Sequence, residues 1–245
     1  MIRPLLLAAA CLAAVSATNA EPASTKEATA GGLEARLEAV VVPSVNFEDT
    51  TVEEAFEYYR QRSLELGCKE VGRLDLGGPD GPVANRRIRL FHLRNVPFPT
   101  VLRYTAAAVG ASITYSGQTI TLRPGVTADT RSEERKKADA VLAKVREDSL
   151  NRIILPSVHL DDFSLAEAIT FISQRITPLG VQLDSGEPNT LPNILLLDPE
   201  GKLADKRITN LHLTKVSAKE ALDAIAKACG ATARCEPHAT VVEPQ

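Results

Sequence analysis

The chain repeats itself, and this internal duplication constrains its fold more than any other feature. Residues 42–49 return as residues 155–162, and residues 87–93 return as residues 207–213. The first two segments stand 113 positions apart and the second two stand 120 apart, so the second copy carries seven extra residues between them. We expect two copies of one small unit, as is common in arrays of interaction modules. The insertion is expected in the long loop 177–204.

Hydrophobic periodicity predicts the same order of elements in both copies. Apolar residues that recur every two positions predict strands, and those that recur every 3.6 positions predict helices. In each copy they give the order strand, helix, strand, strand, helix, strand and strand, with a further helix before it. The pairs Thr51/Glu54 and Ser164/Glu167 have the spacing of a capping box at the start of a helix. We therefore predict an α+β protein made of two tandem βαββαββ sandwich domains, each preceded by a helix.

Composition and the positions of turn-forming residues divide the chain into five segments. They are a signal peptide at 1–20, a flexible stretch at 21–32, the first repeat at 33–124, a linker and helix at 125–148, and the second repeat at 149–245. The linker helix is predicted over residues 131–147. Its apolar residues at helical spacing are Ala138, Val141, Leu142 and Val145.

The N-terminus has the pattern of an export signal. Arg3 precedes an apolar run at 5–15, and small residues precede a cleavage point near Ala20. The run is shorter than the roughly 20 residues that span a bilayer, which disfavours an uncleaved anchor. A lipoprotein cleaved before Cys11 is the other alternative. No further segment of the sequence is long and apolar enough to be transmembrane, so we expect a mature periplasmic or otherwise exported chain.

Charge and cysteine content narrow the function classes. A net charge of −3 and 4% aromatic residues provide neither a basic field nor stacking platforms, so nucleic acid is not an expected partner. Removal of the signal leaves three cysteines, Cys68, Cys229 and Cys235, in an oxidising compartment. Cys229 and Cys235 flank a predicted helix-to-strand turn, where a disulfide is conceivable. Two small buried side chains are the alternative.

The sequence contains no recognisable catalytic motif. His92 and His212 occupy equivalent strand positions, but a solvated strand face explains them better than a metal or proton site. The acidic pairs at 48–49 and 161–162 precede helix starts, where negative charge favours the helix dipole. Neither Ser44 nor Ser157 lies in a nucleophile motif. We therefore expect no enzyme, no cofactor and no metal; a hydrolase whose site combines both copies is the alternative.

Arginines cluster around the predicted third strand of the first repeat. They are Arg86, Arg87, Arg89 and Arg94, whereas the second repeat keeps only Lys206 and Arg207. The cluster is a candidate contact for an acidic protein partner. The alternative is charge that protects an edge strand from unwanted pairing.

The order of elements, the turns 95–98 and 215–218 into the second helix of each repeat, and the ending 110–122 resemble the secretin and TonB-receptor short N-terminal (STN) domain. The similarity covers nearly all of the mature chain, although residues 235–238 depart from it. The resemblance implies a non-catalytic periplasmic module that contacts protein partners in the cell envelope, including an outer-membrane secretin or receptor system, or another copy of itself. A small-ligand or cell-wall binder that uses the cleft between the repeats is the alternative function.

Overall fold

Strands and helices follow one another in the same order in both repeats. A computed structural model describes residues 33–67, 73–76, 81–126, 129, 131–183 and 192–245. The elements up to residue 124 are α1 (Leu33–Glu38), β1 (Val41–Thr51), α2 (Val52–Glu65), β2 (Arg73–Asp75), β3 (Arg87–Pro97), α3 (Phe98–Ala108), β4 (Ala111–Ser116) and β5 (Thr119–Pro124). They are followed by α4 (Glu133–Arg152), β6 (Ile154–Leu160), β7 (Phe163–Ser164), α5 (Leu165–Leu183), β8 (Ile194–Leu196), β9 (Arg207–Ile208), β10 (Leu211–Ser217), α6 (Ala218–Ala228), β11 (Ala231–Cys235) and β12 (Thr240–Pro244).

The starts of the helices follow the sequence signals. Thr51 and Glu54 form the predicted capping box of α2, since each side chain accepts a hydrogen bond from the backbone N–H of the other residue. Ser164 makes the same exchange with Glu167 at α5. A third box, at the start of α6, was not predicted and uses Ser217 with Glu220. These acidic side chains therefore stabilise helix starts.

Backbone geometry repeats as well. Positive φ angles occur at Asp49 (49°) and its equivalent Asp162 (57°), and at Gly110 (61°) and its equivalent Gly230 (67°). The two glycines follow α3 and α6, where a left-handed residue commonly ends a helix. The same unusual conformations at equivalent positions support a true duplication.

Strand pairing is also the same within each repeat. In the first, β1 pairs antiparallel with β3, while β2 pairs parallel with β5 and β5 antiparallel with β4. In the second, β6 pairs antiparallel with β10, while β8 pairs parallel with β12 and β12 antiparallel with β11. With its helices and small sheets, the molecule has the predicted α+β class.

The two repeats share one sheet. Strand β3 of the first repeat pairs antiparallel with β8 of the second, with Leu90 opposite Leu196 and His92 opposite Ile194. This contact joins the strands into a five-stranded sheet in the order β1-β3-β8-β12-β11. The described residues of both repeats accordingly lie within one compact unit.

Each repeat also contributes side chains from this sheet to the hydrophobic core of the other repeat. Leu195 and Val241, from the second repeat, pack in the core built mainly by the first repeat. Leu90, from the first repeat, packs in the core built mainly by the second, beside Ile194 and Leu196. All five side chains are at most 2% exposed. Each core is therefore completed by the other repeat.

Helices α4 and α5 extend well beyond the ends that the sequence predicted, and some predictions fall outside the described residues. The expected loop 177–204 begins as helix, because α5 continues to Leu183 past Pro178 and Gly180, two residues that usually end helices. Helix α4 runs to Arg152, five residues beyond its predicted end. The predicted signal peptide, residues 21–32 and Cys68 lie outside the described residues.

Candidate functional site

Arg86, the first of the predicted contact residues, has a structural role at the end of α3. Its guanidinium donates hydrogen bonds to the carbonyl oxygens of Val109 (2.6 Å) and Gly110 (3.2 Å). Lys206, at the equivalent position, donates to the carbonyl of Cys229 at 2.8 Å. In both repeats a basic side chain satisfies the free carbonyl groups at a helix C-terminus. This contact occupies Arg86 within the fold.

Arg87 contacts Asp49, the residue of β1 that has a positive φ. Its Nη1 donates to the carbonyl oxygen of Asp49 (2.6 Å) and to Asp49 Oδ2 (2.8 Å). Arg207 faces Asp162 in the same way, with Nε 3.2 Å from Oδ1. Asp49 and Asp162 thus pair with arginines across the strands, and the hydrogen bonds that cap α2 and α5 are made by other residues.

Arg89 is the contact residue that reaches the second repeat. Its Nη1 donates to Asp49 Oδ1 at 2.8 Å, and its Nη2 lies 3.8 Å from Asp205 Oδ2. The guanidinium also lies close to the backbone of Gly201, since a Cβ built on this glycine would be 3.6 Å from the same nitrogen. The equivalent position in the second repeat is Thr209, so this bridge exists only where the repeats meet.

Arg94 contributes mainly its backbone to the junction. The Asn193 side chain accepts a hydrogen bond from the Arg94 N–H at 2.9 Å and donates one to the Arg94 carbonyl at 3.0 Å. Asn193 also donates to the carbonyl of His238 at 2.8 Å. Buried to 6% exposure, this amide extends the pairing of β3 with β8. Of the four arginines, Arg87 and Arg89 share the Asp49 carboxylate, whereas Arg86 and Arg94 have other partners. Because β3 pairs with β1 and with β8, it is not an edge strand.

A groove of about 570 Å³ lies where the repeats meet. Its apolar lining includes Leu90 from the first repeat and Phe163 and Phe171 from the second, whose rings lie 5.8 Å apart. Glu48 and Asp205 contribute carboxylates to the lining. The groove is thus amphipathic, with room for a small ligand.

Helix α4 is anchored to the second repeat by a half-buried arginine. Arg146 donates to the carbonyl oxygens of Glu236 (3.1 Å) and Pro237 (3.2 Å) in the β11–β12 turn. Burial lowers the pKa of Arg146, and burial together with the Glu236 carboxylate raises the pKa of Tyr104 from α3. Burial and then the charge of Arg146 lower the pKa of His238. This cluster joins α3, α4 and the β11–β12 hairpin.

The opposite face of α4 carries exposed apolar side chains. The predicted apolar stripe consists of Ala138, Val141, Leu142 and Val145, and all four residues are exposed. Val141 is 64% exposed, Leu142 46% and Val145 52%, whereas Leu150 is the one buried residue of the helix. The spacing i, i+3, i+4, i+7 that normally faces a core therefore faces solvent here.

Two histidines that sequence reasoning did not connect lie side by side. His159 in β6 is directly opposite His212 in β10, with ring centroids 3.8 Å apart and ring planes at 89°. Both residues are exposed. The repeat offset places His159 at the position of Asn46, which pairs with His92 in the first repeat. The sequence could have predicted this pair. His212 corresponds to His92 and His159 corresponds to Asn46, so two residues that face each other in the first repeat predict two that face each other in the second.

His92 has different surroundings from His212. It is half-buried beside β8, and its Nε2 lies 3.5 Å from Glu48 Oε1 without a hydrogen bond within the described residues. Burial lowers the pKa of His92, and the Glu48 carboxylate opposes this effect. The equivalent histidines therefore do not form a repeated site.

Cys229 and Cys235 are free thiols. Cys229 donates to the Lys206 carbonyl at 3.8 Å, and Cys235 lies 3.9 Å from Thr240 Oγ1. Strand β11 runs from Ala231 to Cys235, a span of about 13 Å at 3.3 Å per residue, whereas disulfides join Cα atoms less than about 7 Å apart. The conceivable disulfide is thus absent from the structure. Burial raises the pKa of both thiols.

Among the described residues, no group of three or more His, Cys, Asp or Glu side chains is arranged to hold a metal ion. Within the same part of the chain, no helix combines the length and the apolar character needed to span a bilayer. Comparison of the chain with protein-family models, with curated proteins and with solved structures found no match. The similarity to the STN domain therefore stays a prediction from the residues.

Proposed function

We propose that the protein is a non-catalytic protein-interaction module of the cell envelope, and that the exposed face of α4 is its docking surface. The apolar stripe at Ala138, Val141, Leu142 and Val145 is the observation that carries this proposal. An amphipathic helix normally buries such a face. Here the same helix is fastened on its other side, so the stripe is presented to a partner.

The contacts that hold α4 in place favour docking. Ser132 caps its first turn, and Arg131 joins Asp139 at 2.5 Å. Arg135 reaches Glu38 of α1 at 3.2 Å, and Arg146 is held by the β11–β12 turn. A prearranged surface loses little conformational entropy on binding. Its spacing suits a partner that contributes a helix or an apolar groove.

The export signal and the STN resemblance suggest the kind of partner. An exported chain with two STN-like repeats and no catalytic motif fits an adaptor or accessory component of an outer-membrane secretin or receptor system. In this proposal the mature protein acts in the periplasm after cleavage near Ala20. The repeats supply the scaffold, and α4 supplies the contact.

The test is affinity capture of the tagged full-length chain from crosslinked native envelope, comparing two substitutions. Leu142→Glu places a charge in the stripe, and Leu64→Glu makes the same change at an exposed leucine of α2. We expect Leu142→Glu to lose the partners that the unaltered chain and Leu64→Glu recover. Equal recovery by all three chains would show that α4 is not the docking surface.

The groove between the repeats favours a second candidate function, the binding of a small amphipathic ligand. The apolar lining from Leu90, Phe163 and Phe171 would hold the apolar part of such a ligand, and the carboxylates would orient its polar end. Thr170→Arg would fill the groove. If this function is the correct one, the substitution abolishes ligand-dependent thermal stabilisation and leaves partner capture through α4 unchanged.

A further inference from the structure

The paired histidines on the second repeat form a site that the proposed function does not use. His159 and His212 lie directly opposite each other on β6 and β10. Their inner neighbours Val158 and Leu160 are buried, so alternation places both imidazoles on the outer face of the ribbon. Within the described residues, neither ring makes a hydrogen bond or an ion pair that would occupy its nitrogens.

We propose that His159 and His212 bind one divalent first-row transition-metal ion, such as Cu²⁺, Ni²⁺ or Zn²⁺. Directly paired strand residues have Cβ atoms about 4.5–5.5 Å apart, which lets two imidazoles reach one ion at metal–nitrogen distances of about 2.0–2.1 Å. The rings, now 3.8 Å apart and perpendicular, are exposed and can turn to bring one nitrogen each to the ion. Imidazole ligands select these metals over Mg²⁺ and Ca²⁺.

Asp161 lies two residues beyond His159, and its Oδ1 accepts a 3.5 Å hydrogen bond from the backbone N–H of Asn210, the residue before β10. Among the described residues, no third His, Cys, Asp or Glu is grouped with the two imidazoles. Two protein nitrogens leave the remaining coordination positions to water or to a ligand brought by a partner.

Metal binding at this site would join β6 to β10. The ribbon is a two-stranded sheet, and β10 pairs with no other described strand. An ion held by one side chain from each strand binds the folded state and not the unfolded chain, so it stabilises the second repeat. At 100 times its dissociation constant, the ion should raise Tm by roughly 5–10 °C.

The experiment uses the purified full-length chain with Cu²⁺, Ni²⁺ and Zn²⁺. Isothermal titration counts bound ions, and electron paramagnetic resonance of the Cu²⁺ form counts coordinated nitrogens. The substitutions are His159→Gln, His212→Gln and, as the matched control at the equivalent position of the first repeat, His92→Gln. All are checked by circular dichroism in the absence of metal.

The expected result is one ion per chain, two imidazole nitrogens on Cu²⁺, and a metal-dependent rise in Tm. Either His159→Gln or His212→Gln should weaken binding at least tenfold and remove the rise, while His92→Gln should change neither. Binding that survives His159→Gln, or a signal from a single nitrogen, would overturn the proposal. Because partner capture through α4 does not involve these residues, that failure would leave the proposed function standing.

Discussion

Replacement of Leu222 by alanine tests whether the two repeats unfold as one unit. Leu222 lies in α6, is fully buried and belongs to the core built mainly by the second repeat. Truncation removes three carbons and leaves a cavity, which costs about 3 kcal/mol for a leucine buried this completely. In urea, with a slope of about 3 kcal/mol per molar, the midpoint should fall by roughly 1 M.

The positions of the tyrosines allow the unfolding of the first repeat to be followed separately. All four tyrosines, Tyr58, Tyr59, Tyr104 and Tyr115, lie in the first repeat, and the chain has no tryptophan. Tyrosine fluorescence therefore reports the first repeat, while far-ultraviolet circular dichroism reports both. Because Leu195 and Val241 complete the core around Tyr59, loss of the second repeat should also unfold the first.

We expect both signals of Leu222→Ala to shift together and to remain single transitions. Leu64→Ala, at a 55% exposed position of α2, is the control and should move the midpoint by less than about 0.2 M. An unshifted tyrosine transition beside an earlier, separate loss of circular dichroism would refute the coupling. The shared sheet would then join two domains that unfold independently.

Four further substitutions, each measured by thermal or urea unfolding, probe two helix ends, one helix start and the β11–β12 turn. Gly110→Ala should cost more than Gly230→Ala, because both residues have positive φ but only the first would place a Cβ 2.8 Å from Pro199. Ser217→Ala should cost about 1 kcal/mol through loss of the α6 capping box. Burial lowers the pKa of His238, so below about pH 6.5 the unfolded chain takes up a proton more readily than the folded protein, and the folded protein loses stability as the pH falls. His238→Gln removes this proton uptake and should therefore make the loss of stability with falling pH smaller.

Local signals in the sequence were sufficient to predict the elements and the class. Alternation and helical spacing gave the order of elements, and side chains such as Thr51 and Ser164 marked helix starts that the structure confirms. These features depend on neighbours within one turn or one strand. The continuation of α5 past Pro178 was missed because an intrinsic breaker is only a weak guide when the rest of the helix packs well.

Pairing between the repeats could not be predicted with the same rules. It depends on which strand edges meet, and the duplication suggested two separate sandwiches. One signal was present: Ile194, Leu195 and Leu196 are apolar without alternation, as expected of a strand buried on both faces. The equivalent β2 reads Arg-Leu-Asp. The difference between the two strands indicated that only β8 would be covered on both sides.

Divergence between the repeats follows the same asymmetry. Leu90 is buried against Leu196 in β3, which has a strand on either side, whereas its equivalent Asn210 is exposed with a φ of 55°. Asn210 interrupts the strand, so β9 and β10 are separate where β3 is continuous. A kink of this kind discourages further pairing at an edge. The free edge of β10 is thus a poor place for a further strand to pair. This favours the exposed stripe of α4 over the β10 edge as the proposed contact with a partner.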